Sequence, residues 1–118
     1  MLKPISEETC YRTFLETRQE PLRLTAALQG FFLHDTPERH REEYLQYIKR
    51  RIRPAVEQLL KENALEKIQE LERLNCFHEK ELDVFLRSAR EQGNTPALMW
   101  FLQLKNEKYG FHDRDFSL

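Results

Sequence analysis

The sequence predicts an all-α fold of about six helices, on three observations. Apolar residues recur every three or four positions along most of the chain, the spacing that lines one face of an α-helix. Three Gly and five Pro in 118 residues are too few for the many turns of a β-sandwich. The stretch from Ile52 to Leu104 also matches itself when shifted by thirty positions. Ile52 falls on Leu82, Ala55 on Phe85, Val56 on Leu86 and Leu59 on Ala89; further on, Asn63 falls on Gly93, Ile68 on Leu98 and Leu71 on Phe101. A period of this size marks two copies of a helix–turn–helix unit, neither able to bury its apolar face alone.

Each element has its own signals. Ser6 is placed to cap a first helix, with Glu7 and Glu8 at the positive end of the dipole and Tyr11, Phe14 and Leu15 as its stripe. Pro21 opens a second helix carrying Leu24, Ala27, Leu28, Phe31 and Phe32, in which Gly30 permits close packing. Thr36-Pro37-Glu38 reads as a cap, a first helical residue and a dipole partner. The stripe that follows, Tyr44 or Leu45, Ile48, Ile52, Ala55 or Val56, and Leu59, runs through Pro54. Pro54 removes a donor and crowds the Arg50 carbonyl, so a kink or two abutting helices are expected there. Asn63-Ala64 is a short turn before Leu65, Ile68, Leu71 and Leu74, and Asn75 to His78 ends that helix. Glu79 to Gln92 follows, closed by Gly93 in a left-handed position. Thr95-Pro96 repeats the cap-then-proline start, and the last helix runs from about Pro96 to Tyr109.

That last helix is apolar from Ala97 to Leu104 except at Gln103, so it must be covered on more than one side. The tail, a partner or a second copy would supply the cover. The expected organisation is one helical domain over 1–118: an N-terminal hairpin at 1–35, a helical stack at 36–110 and a tail at 111–118.

Bulk composition excludes several classes. The charges nearly cancel, at a formal −1, which argues against a chain that wraps nucleic acid or lies on an anionic membrane. Eight Phe, four Tyr and one Trp are too many core formers for a disordered chain. No apolar run approaches the ~20 residues needed to span a bilayer. Cys10 and Cys76 form no CxxC pair and read as buried small hydrophobes in a cytoplasmic protein.

The segment Ala89-Arg90-Glu91-Gln92-Gly93-Asn94-Thr95-Pro96-Ala97-Leu98-Met99-Trp100-Phe101-Leu102 resembles the centre of an ankyrin repeat. That family carries an Ala, then a Gly four on, then apolar positions matched here by Ala97, Leu98, Trp100, Phe101 and Leu102. The upstream copy is degenerate and keeps Leu59, Asn63, Ile68 and Leu71. Val84-Phe85-Leu86-Arg87 replaces the family's Thr-Pro-Leu-His, and the Gly-Ala-Asp hairpin signature is missing. The resemblance, over about 52–110, implies an ankyrin-like stack of helical hairpins without hairpin fingers, and protein binding without catalysis.

Candidate site residues follow from that expectation. Arg53, Glu57 and Lys61 face Asp83, Arg87 and Glu91 thirty positions on with inverted signs, so opposite charges are expected to meet along a seam. Exposed pairs of this kind contribute only ~0–1 kcal/mol, so the pattern bears on register. The expected partner-binding residues are Arg53, Glu57, Arg87 and Arg90 on the helix faces, and Met99 and Trp100 on the last helix. The alternative is a nucleic-acid-associated regulator gripping phosphates with Arg39, Arg41, Lys49, Arg50 and Arg51, though Glu38, Glu42 and Glu43 interrupt that face. A structural segment of a larger assembly is the third reading. Cys76, His78 and His112 have no zinc spacing, His34 and His40 do not share a helical face, and His78 with Glu81 reads as a helix cap. No nucleophile motif or phosphate loop is present, so neither cofactor, metal nor enzymatic activity is expected.

Overall fold

The structure is a computed structural model that describes residues 6–110. It is all-helical: α1 (Glu7–Glu16), α2 (Glu20–Phe31), α3 (Glu38–Arg50), α4 (Ile52–Lys61), α5 (Leu65–Arg73), α6 (Glu79–Glu91) and α7 (Thr95–Lys108). The expected tail, with Phe111, His112, Phe116 and Leu118, lies outside the described residues. Two compact units divide the chain, one running to Ala55 and the other starting at Val56.

The seventh helix arises where Pro54 was expected to act. The break falls at Arg51, which leaves helical geometry (φ −119°, ψ 35°) between α3 and α4. Pro54 then stands in the first turn of α4, where a missing N–H has no intrahelical partner to lose. Two abutting helices accommodate the proline with less strain than one kinked rod.

In the first unit, Ser6 caps α1 by accepting from the Thr9 N–H at 3.2 Å. Cys10 is buried, Tyr11 and Phe14 are half-buried, and Leu15, placed by spacing in the stripe, is instead 57% exposed. α2 buries Leu24, Ala26, Ala27, Leu28, Gly30 and Phe31 as it packs on both α1 and α3, and α3 contributes Tyr44, Tyr47 and Ile48. Gly30 makes that contact possible, because a Cβ there would lie 2.5 Å from Cζ of Tyr44. Thr36 does not cap α3. Its hydroxyl turns back and donates to the Gly30 carbonyl, and Pro37 takes the cap position. The Gly30 carbonyl also accepts from the Leu33 N–H at 3.3 Å, and the end of α2 thereby holds this buried hydroxyl.

In the second unit the core comprises Val56, Leu59, Leu60, Ala64, Ile68 and Leu71, together with Phe77, Leu82, Phe85, Ala89, Ala97 and Phe101. Phe77 meets Phe85 edge-on at 5.1 Å, and so belongs to the core although it stands in the α5–α6 connection. The turns after α4 and α6 are built alike. Asn63 (φ 55°) and Gly93 (φ 66°) hold the left-handed position. The Ala64 N–H donates to Leu59 O and the Asn94 N–H to Ala89 O, each at 2.9 Å. The Asn63 N–H donates to Leu60 O and the Gly93 N–H to Arg90 O, each at 3.1 Å. All four bonds close helix ends that would otherwise leave carbonyls unpaired. Asn94, not Thr95, caps α7, accepting from the Ala97 N–H at 3.3 Å.

Candidate partner-binding surface

The α6–α7 hairpin has two flanks, and side-chain contacts distinguish them. On one flank Ser88 and Gln92 donate to the Glu57 carboxylate of α4, and Asn94 Nδ2 reaches Leu60 O (3.3 Å) and Asn63 Oδ1 (3.4 Å). On the same side Lys108 Nζ pairs with Glu72 of α5 at 2.5 Å, a contact that raises the lysine's pKa. These contacts tie the hairpin to α4 and α5.

Among the described residues, the other flank receives no further helix. Lys105 Nζ meets Asp83 Oδ1 at 2.9 Å, joining a stripe of α6 to a stripe of α7. Asp83, Leu86 and Arg90 follow the three-then-four spacing of one α6 face, and Leu98, Leu102 and Lys105 the four-then-three spacing of one α7 face. Leu98 and Leu102 are only half-buried, and Arg90 is exposed. Beyond them Met99 stands at the crest of α7, 60% exposed. Trp100 lies on the far side of that crest, half-buried, with its ring 5.3 Å from Phe101. The apolar run from Ala97 to Leu104 therefore buries Ala97 and Phe101 and leaves a greasy outer edge.

The expected binding residues are separated by these contacts. Arg90 and Met99 border the open flank, and Arg87 is exposed on α6 beside it. Glu57 is used internally, by Ser88 and Gln92 rather than by Arg87, so the inverted-charge seam is not how α4 and α6 meet. Asp83 bonds Lys105 and keeps more than half of its side chain exposed. Short neutral donors one residue along the helix reach the carboxylate more directly than a long guanidinium that prefers water. Arg53 is exposed on α4.

The basic face is thinned in the same way. Arg41 donates to the Phe31 carbonyl at 2.8 Å, its guanidinium 4.4 Å over the Phe31 ring, and so closes the C-terminal end of α2. Arg51 pairs with Glu20 at 3.4 Å and lies over Tyr47. Arg39, Lys49 and Arg50 remain exposed.

No spacing rule pointed to a polar network in the first unit. Glu7 Oε1 accepts from the Tyr44 hydroxyl at 3.1 Å and lies 2.7 Å from His40 Nδ1. His40 stacks on Tyr11 with ring centres 3.5 Å apart, and the Tyr11 hydroxyl donates to Glu43 at 2.8 Å. Burial, then the Glu7 contact, pushes the Tyr44 hydroxyl's pKa far up; the bond to Glu43 raises that of Tyr11. Tyr47 is raised by burial and then by its bond to Glu20, whose own pKa is lowered by the same bond. Cys10, buried beside Glu7, has its thiol pKa raised by desolvation first. This network locks α1 onto α3.

Among the described residues no group of three or more His, Cys, Asp or Glu side chains is placed to hold a metal ion. Cys76 is buried, and His78 caps α6, its N–H donating to Glu81 at 3.0 Å. No described helix is long and apolar enough to cross a membrane. No protein-family model, no curated protein and no solved structure matches this chain.

Proposed function

We propose that the chain is a non-catalytic protein-binding module of the helical-repeat type, related in plan to ankyrin stacks, that docks a protein along the outer edge of α7. The carrying observation is Met99, 60% exposed on a helix whose neighbouring Leu98, Trp100 and Leu102 are only half covered. These residues are contiguous rather than scattered, and a contiguous apolar surface with Arg87 and Arg90 exposed on the neighbouring helix fits an interaction surface better than a solvent face. Methionine suits it, because its flexible thioether adapts to a partner's contours. The shared burial of residues thirty apart, Leu59 with Ala89 and Leu71 with Phe101, supports the repeat plan. The nucleic-acid alternative is less well supported, since Arg41 and Arg51 are engaged inside their own unit.

The test is affinity capture from native extract with three baits: the wild-type chain, Met99→Glu, and Glu62→Lys as a change at an exposed position elsewhere. A protein retained by wild type and by Glu62→Lys but lost with Met99→Glu is the expected result. Retention of nucleic acid instead, or of the same proteins by all three baits, would overturn the reading.

A further inference from the structure

The open flank of the α6–α7 hairpin has a counterpart thirty residues earlier, and that counterpart is covered. Val56, Leu60 and Ile68 are almost wholly buried. Their equivalents thirty positions on are Leu86, at the edge of burial, Arg90, exposed, and Leu98, half-buried. The earlier side of the stack thus receives a hairpin, and the later side presents the matching surface with nothing described on it. Replacement of Leu60 by Arg90 makes that surface partly ionic, and Asp83 is still 55% exposed despite its bond to Lys105.

We infer that this flank receives the same flank of a second copy of the chain, an inference that rests on the protein-binding reading above. Charge complementarity selects this occupant. Asp83 and Arg90 stand about two helical turns apart on one face, with Leu86 between them. When two such helices pack antiparallel about a two-fold axis, Asp83 of each copy comes opposite Arg90 of the other. Both pairs form at once, and Leu86, with Leu98 and Leu102 alongside, closes the middle. An isologous interface requires this kind of self-complementary patch. The near-zero formal charge of the chain puts no general repulsion between the copies.

The experiment is sedimentation equilibrium of the full chain over a concentration series, with circular dichroism to confirm the fold of each variant. The wild type should dimerise. Arg90→Asp, at an exposed residue with no ion pair among the described residues, should raise the dimer Kd at least about tenfold. Arg90→Lys should keep it within a few-fold. Arg87→Cys, close to the proposed axis, should give a disulfide-linked dimer on mild oxidation, whereas Glu62→Cys should not. A wild-type chain that stays monomeric to millimolar concentration, or a dimer indifferent to Arg90→Asp, overturns the inference. A monomer whose extract partner is still lost with Met99→Glu overturns the second-copy assignment alone and leaves the protein-binding reading intact.

Discussion

Replacing Gly30 by Ala separates two opposed effects in one experiment. On helix propensity alone the change should stabilise α2 by about 1 kcal/mol, since Gly is among the poorest helix formers. The structure demands the opposite sign. A Cβ at position 30 would stand 2.5 Å from Cζ, 2.6 Å from Cε2 and 2.7 Å from the hydroxyl oxygen of Tyr44. That ring has no free direction to move. It is 0% exposed, Phe14 meets it edge-on at 5.1 Å, and its hydroxyl is tied to Glu7. Overpacking of this kind costs about 1–3 kcal/mol. Weakening the bond to the Glu7 carboxylate adds about 1.5 kcal/mol. After the propensity gain the net destabilisation is about 1.5–3.5 kcal/mol, which moves a urea midpoint down by roughly 1–2 M at an m value of about 2 kcal/mol/M. Denaturation followed by far-ultraviolet circular dichroism reads it directly. In a Tyr44→Leu background the three crowding atoms are gone, and the same Gly30→Ala change should become neutral or stabilising. A Gly30→Ala chain as stable as wild type, or more so, would refute the packing argument.

Three further outcomes are expected. Tyr44 keeps its proton in the folded state well above the value of about 10 that it has when unfolded, so its contribution is complete below pH ~10 and is lost as pH rises. Stability should then fall by about 1.4 kcal/mol per pH unit from this residue, with Tyr11 and Tyr47 acting in the same direction; Tyr44→Phe should reduce the slope, and a flat profile to pH ~11 would contradict it. Both thiols are buried and that of Cys10 is held protonated, so Ellman's reagent should react at the rate of unfolding, and a fast burst on the native chain would count against the placement. Asp83→Ala should cost no more than about 1 kcal/mol, because the aspartate of its pair with Lys105 is more than half exposed; a loss of several kcal/mol in thermal melts would contradict it.

How much was legible in the sequence depended on how local the cause was. Apolar spacing located α5 to α7 because each stripe is written within one helix, whereas one stripe ran through α3 and α4 and did not place the break at Arg51; Gly93 announced its left-handed turn because few other residues adopt one comfortably. Caps were harder. Thr36 and Thr95 both precede proline and helix, yet the neighbouring Asn94 outcompeted one, and the other turned to a carbonyl six residues back. Gly30 was readable as a site of close approach, but not that Tyr44 approaches it. The network of Glu7, His40 and Tyr44 joins residues more than thirty positions apart, a distance at which no periodicity speaks. Charge was the most misleading signal. A run of Arg and Lys shows where cations stand along the chain, but not that Arg41 and Arg51 spend theirs on a helix end and on Glu20, nor that Glu57 would be satisfied by Ser88.

The left-handed corners at Asn63, Asn75 and Gly93 bear on what such a turn tolerates. At each of them the corner N–H reaches three residues back and the next N–H five back, so the backbone and not the side chain dictates the turn. Asn and Gly are the residues that enter this conformation at least cost, and exchanging one for the other there leaves both flanking helices where they are.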